Sequence, residues 1–113
     1  MKLLKVSDKA FKKYKSTVRG NENITYEQAQ KKLTRNAVLV KETAPERIKR
    51  KWFNVTYSYG NLDIICRFGT VIDIVNHKGV FDSNWKFPRH SYQHLNKVMG
   101  IPDDKFKKNS FKR

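Results

Sequence analysis

The apolar positions of this chain first alternate, then recur at helical spacing, then alternate again through its centre. Lys2 to Val6 alternates weakly and predicts a short first strand. Ser7 stands where an N-cap is needed, and Asp8 follows in the first turn, where the helix dipole favours an anion. Phe11, Tyr14 and Val18 then recur at helical spacing, and Gly20 suits the position just past a helix end. Asn21 to Asn23 is a turn. Thr25-Tyr26-Glu27-Gln28 has the capping-box form and predicts a second helix from Tyr26 to about Arg35, with Tyr26, Ala29 and Leu33 toward the core. Ala37 to Lys41 reads as a strand. Glu42 to Lys51 reads as a polar connection that contains Pro45 and ends in the dense cluster Arg47, Lys49, Arg50, Lys51, a candidate mobile basic loop.

The centre is the most regular part. Trp52 to Tyr59 and Leu62 to Phe68 flank Gly60-Asn61, a two-residue hairpin signal. That loop length pairs Tyr59 with Leu62, Tyr57 with Ile64, Val55 with Cys66 and Phe53 with Phe68, all toward one apolar face. A third strand is expected from about Val71 to Asn76. A three-residue loop, Gly69 to Val71, would set Asp73 opposite Arg67 on the outer face rather than in the core, where a carboxylate is costly. His77-Lys78-Gly79 ends the strand, and Val80 and Phe81 form a short extension. Trp85, Phe87 and Pro88 follow as an aromatic loop. Ser91 can cap a last helix to Met99, with Tyr92, Leu95, Val98 and Met99 at core spacing, and Gly100 and Pro102 stop it. The architecture expected is α+β: helices packed on one face of an antiparallel sheet of about four strands, with a C-terminal helix. One domain would span residues 1–104, with a basic tail from Lys105 to Arg113.

Composition adds a partner class. The 113 residues hold 25 Lys and Arg against 10 Asp and Glu, a formal net charge of +15. A folded body with that imbalance repels itself unless it meets a polyanion, and nucleic acid rewards each neutralised phosphate by releasing counterions. The hydrophobic fraction is only 38%, yet seven Phe, five Tyr and two Trp supply a core that disordered basic chains lack. No apolar run approaches the length of a membrane span, and Met1 to Val6 is too short and too charged for a signal peptide, so no membrane is expected and the chain reads as cytosolic. The lone Cys66 has neither a disulfide partner nor a metal-site companion, and its place on the apolar face argues against a nucleophilic role. No cofactor is expected.

The order of strand, two helices, strand, antiparallel meander and late helix, on a basic chain, resembles the RelE/ParE/HigB superfamily of bacterial toxins and its BrnT-type relatives. The segment Gly60-Asn61-Leu62-Asp63-Ile64-Ile65-Cys66-Arg67 is similar to their hairpin. Val71 to Phe81, with His77 and Lys78, is similar to their last strand. The resemblance covers roughly residues 2–82. It implies metal-independent endoribonuclease action on RNA and, for a toxin, an acidic antitoxin as partner.

Such cleavage takes a general base, a cation for the crowded phosphorane and an acid for the leaving oxygen. His77 is the candidate acid or base, with Arg67 and Lys78 as candidate phosphate stabilisers; against this, a lone His at a strand end is most often a turn residue. His90 and His94 stand four apart, but no third ligand accompanies them in a zinc pattern. The nucleic-acid-binding candidates are Arg47, Lys49, Arg50, Lys51, Trp52, Lys12, Lys13, Arg89 and His90. Lys12 and Lys13 belong to a basic helix face that is either a phosphate-facing ridge or merely solvated. Trp52, Trp85 and Tyr92 could stack on unpaired bases, whereas Phe53, Tyr57, Tyr59 and Phe68 read as core. The function expected is nucleic-acid binding, RNA favoured, with ribonuclease action as the sharper form. The alternatives are a non-catalytic phage or mobile-element DNA- or RNA-binding accessory protein, and an inhibitor whose basic surface docks an acidic protein.

Overall fold

The computed structural model describes residues 2–18, 20–77 and 85–102. Strand β1 (Lys5–Val6) leads into α1 (Asp8–Thr17), which Ser7 caps by accepting from the Ala10 amide at 3.1 Å. The same hydroxyl donates to the Ile72 carbonyl, so the cap also ties the helix to the sheet. Helix α2 (Tyr26–Thr43) opens on the expected capping box, with the Thr25 hydroxyl and the Gln28 side chain each accepting from the other residue's amide. A single 3₁₀ turn (Pro45–Arg47) then feeds β2 (Ile48–Lys51), β3 (Asn54–Tyr59), β4 (Leu62–Arg67) and β5 (Thr70–Asn76), and α3 (Arg89–Met99) follows.

The sheet has five strands in the order β1-β5-β4-β3-β2. All neighbours are antiparallel except β1 and β5, which run parallel. The α+β architecture is as the pattern predicts, with one strand more. Val6, Ala10, Tyr14, Ala29, Leu33, Leu62, Ile64, Cys66, Val71 and Ile74 meet in one buried cluster between the sheet and the first two helices. A second cluster, Leu39 with Tyr92 and Leu95, joins α2 to α3 and reaches Tyr59 and Phe87.

Several expectations are corrected. Ala37 to Lys41 is not a strand; α2 runs straight through it. The helix is sandwiched there, with Ala37 and Val40 buried along it and Leu39 buried against α3, so the apolar run is a helix covered on two sides. The basic loop instead contains edge strand β2. Its Lys and Arg side chains, which look like loop composition, are a common way to keep an open sheet edge from pairing with other chains. The opposite edge is closed by α2: the Leu4 amide donates to the Thr34 hydroxyl, Gln30 donates to the Leu4 carbonyl, and the Tyr26 hydroxyl bonds both polar groups of Val6. Tyr26 is therefore half-exposed, a latch rather than core.

The central hairpin pairs Tyr59 with Leu62, Tyr57 with Ile64 and Val55 with Cys66 as the turn dictates. The pairing stops at Asn54 with Arg67, so Phe53 and Phe68 are not core but turn residues. The next connection is the two-residue turn Phe68-Gly69, pairing Arg67 with Thr70 and Cys66 with Val71. A bulge then passes Ile72, so that Asp73 lies opposite Ile65 rather than Arg67. The bulge does what a longer loop was expected to do and keeps the carboxylate out of the core. The last helix starts at Arg89 with Pro88, not Ser91, in the cap position, and its Val98 is exposed.

Candidate nucleic-acid interface

The two tight turns β2–β3 and β4–β5 lie side by side at one end of the sheet, because Asn54 and Arg67 are direct register partners. Trp52 and Phe53 form the first turn and Phe68 and Gly69 the second. Their aromatic side chains point into solvent: Trp52 is 88% exposed, Phe53 64% and Phe68 81%. The Phe53 and Phe68 rings lie 5.6 Å apart at 42°. Trp52 makes no ring contact with any described residue.

Both Trp52 (φ 57°) and Phe68 (φ 49°) adopt left-handed backbone. For a bulky L-residue that conformation costs about 1–2 kcal/mol. In the second turn Gly69 is also at positive φ, as a type I′ hairpin requires. In the first turn only the leading residue is, which is the position glycine usually takes in hairpins of that kind.

Cations stand beside this tip, three of the four on one face. Strand alternation and the registers of Lys49 with Thr56, Lys51 with Asn54 and Arg67 with Asn54 put Lys49, Lys51 and Arg67 on the outer sheet face. No helix that packs on the sheet through the buried cluster covers that face. The Arg67 guanidinium donates to the Asn54 side-chain oxygen at 2.9 Å, which fixes it across the two turns. Arg50 points to the other face at the same end, opposite Val55. None of Lys49, Arg50, Lys51 and Arg67 has a carboxylate partner among the described residues.

The other predicted residues lie elsewhere. His77 is at the far end of the sheet, its amide donating to the Asn61 carbonyl at 2.8 Å. Arg67 ends the strand that Leu62 begins, so the two candidates stand about 17 Å apart, the length of a six-residue strand. The His77 ring instead meets Asp63 at 3.0 Å, and the Ser58 hydroxyl donates to the same carboxylate at 2.8 Å. The structure thus does not bring His77 and Arg67 together, and Lys78 lies outside the described residues. Arg47 is also a far-end residue. It donates to the carbonyls of Ser58 and Gly60, closing the β3–β4 turn, and its guanidinium stacks 4.6 Å from the Trp85 ring. Trp85 in turn meets Tyr59 edge-on, so this tryptophan is a packing residue.

The α1 ridge is partly neutralised. Lys12 pairs with Asp8 at 3.1 Å, while Lys13 and Lys9 both reach Asp73, at 3.0 and 3.4 Å. Burial opposes ionisation of Asp73, but hydrogen bonds from Lys13, the Ile74 amide and Lys9 together outweigh it and hold the carboxyl below its usual range. Arg89, His90 and His94 are exposed on α3, and no third ligand-type side chain joins the two histidines among the described residues. Tyr92 is buried under the Arg35 guanidinium, 4.4 Å from its ring, and is not available for stacking. Cys66 is buried, and burial pushes its thiol up to about 12. A cleft of about 520 Å³ between the start of α2 and the end of α3 is lined by side chains of both signs, among them Glu22, Glu27, Lys31 and Lys32.

Phe53, Phe68 and Asn54 are the tip residues that sequence reasoning missed. One signal was present, since Gly69 directly after an apolar run marks a turn there. Trp52-Phe53 carries no turn signal at all.

The fold and this surface define a small α+β protein with a basic, aromatic sheet end. The YorE family matches residues 4–98, and the chain belongs to it. It is 42% identical, over 100% of its own length and 94% of the relative's, to the SPbeta prophage-derived uncharacterized protein YorE of Bacillus subtilis strain 168. No solved structure matches. This membership overturns the resemblance to RelE, ParE, HigB or BrnT toxins. The segments that carried it, a Gly-led hairpin and a strand ending in His, are common to many antiparallel meanders. No helix among the described residues is long and apolar enough to cross a membrane.

Proposed function

We propose that the protein is a phage accessory factor that binds nucleic acid through the turn end of its sheet. The observation that carries this reading is the grouping of Lys49, Lys51 and Arg67 on one open face, with Arg50 at the same end and no carboxylate paired with any of them among the described residues. Unpaired cations gathered at one place gain most from meeting phosphates. The net charge of +15 and the prophage-derived relative support the same setting. The separation of His77 from Arg67 favours holding the polymer over cutting it.

The test is a salt titration of affinity, by fluorescence anisotropy, for labelled RNA and for DNA. Log affinity should fall linearly with log salt, and Lys49→Gln and Lys51→Gln should each reduce the slope by about one. A slope near zero for both polymers removes the reading.

A further inference from the structure

We propose that Trp52, Phe53 and Phe68 form a stacking platform for unpaired bases, so that the polymer bound is single-stranded. This rests on the nucleic-acid reading above and narrows it. Three aromatic side chains on two adjacent turns lie outside every packed cluster, and two of the three hold a left-handed backbone that a glycine would adopt freely. Strain of that kind persists where the residue's side chain serves something other than folding. Trp52 offers an uncovered ring, and Phe53 with Phe68 offers a second, tilted surface beside it. In a duplex the base faces are stacked on one another, so exposed ring faces can be used only by bases that are unpaired.

The cations fit the backbone of such a strand. Lys51 and Arg67 lie in the row next to the turns, and Lys49 lies two residues farther back on the same face, about 7 Å away. Phosphates of an extended strand would then track from the tip along the open face, with bases turned onto the rings. Farther along that face comes Asp63, opposite Val75 and already engaged by His77 and Ser58, while Asp73 stands across the sheet in the Lys49 row, where Lys9 and Lys13 neutralise it. Lys51, Arg67 and Lys49 span only two rows of the sheet, so the footprint is short and sits at the turn end. An anionic bilayer would favour cations on all sides of the tip; here three of the four stand on one face, with Lys49 set back from the turns.

The experiment compares a 5′-labelled twelve-nucleotide single strand, as oligo-dT and oligo-rU, with a duplex of the same length and with vesicles of mixed phosphatidylserine and phosphatidylcholine, at about 0.15 M salt. The single strand should bind at least about tenfold more tightly than the duplex and quench tryptophan emission. Trp52→Gly should lower single-strand affinity roughly 10- to 100-fold. It should leave the melting temperature unchanged or raised, because glycine fits the turn. Phe68→Ala should lower affinity similarly, and Trp52→Phe should keep most of it. Equal binding of single strand and duplex, unaffected by Trp52→Gly, overturns the platform while leaving salt-dependent binding intact. No binding to either polymer overturns both readings, and vesicle binding in its place assigns the tip to a membrane surface.

Discussion

Arg35 is a guanidinium inside the protein without a carboxylate to balance it among the described residues. It donates to the side-chain oxygens of Asn36 and Asn96, at 3.0 and 2.8 Å, and lies over the Tyr92 ring, so it joins α2 to α3. Arg35→Ala strands two buried carbonyls, at about 1–3 kcal/mol each, or about 2–6 kcal/mol together. Against a domain stability of about 5–15 kcal/mol that is a large fraction. At about 4 °C per kcal/mol it lowers the melting temperature by at least about 8 °C. Arg35→Met keeps the stem over Tyr92 but still strands the carbonyls. The Asn96 side-chain nitrogen is already buried without a partner among the described residues, so once the guanidinium is gone none of them holds that amide. Arg35→Met with Asn96→Leu should then be more stable than Arg35→Met alone by about 1 kcal/mol or more, while Asn96→Leu in the native background should be destabilising. Urea unfolding followed by circular dichroism gives all four stabilities. If Asn96→Leu changes stability equally in both backgrounds, the Arg35–Asn96 bond does not organise this core.

Two further outcomes follow from the geometry. Asp73→Asn should lower the melting temperature near neutral pH by loosening α1 from β5; because the folded carboxyl titrates below its ordinary value of 3.8, the gap should hold above that value and close as the pH falls below it, and a gap that widens in acid would contradict the Lys9 and Lys13 assignment. Cys66, with its thiol pushed up to about 12 by burial, should resist an aromatic disulfide reagent in the native protein at about pH 8 and react once guanidinium unfolds the chain; native reactivity matching the unfolded rate would place the thiol outside the core.

Much of the fold was legible because local chemistry agreed with it. The capping box at Thr25, the Ser7 cap and the Gly60-Asn61 turn each depend on residues within a few positions of one another, and each appears as the pattern predicts. Where a segment's partners are remote, the pattern misled. Ala37 to Lys41 reads as a strand until α3 is known to cover Leu39, and Ile48 to Lys51 reads as a loop until β3 is there to pair with it. The site divides in the same way. Lys49, Arg50, Lys51 and Trp52 are neighbours in sequence and were visible as a cluster, whereas Arg47, equally close, was drawn away to close the Gly60 turn.

The sequence by itself determined the charge, the helix caps, the central hairpin register and the presence of cations beside Trp52, because composition and short-range hydrogen bonding need no knowledge of the rest of the chain. Only the tertiary structure decided which cations remain unpaired and which aromatics remain outside. Alternation carried Phe53 and Phe68 into the core on paper. The strands end one residue earlier, and the paired turns at Trp52-Phe53 and Phe68-Gly69 carry those rings into solvent beside Arg67. Strand length is set by how far both partners can keep their ladder, and that is a property of the assembled sheet.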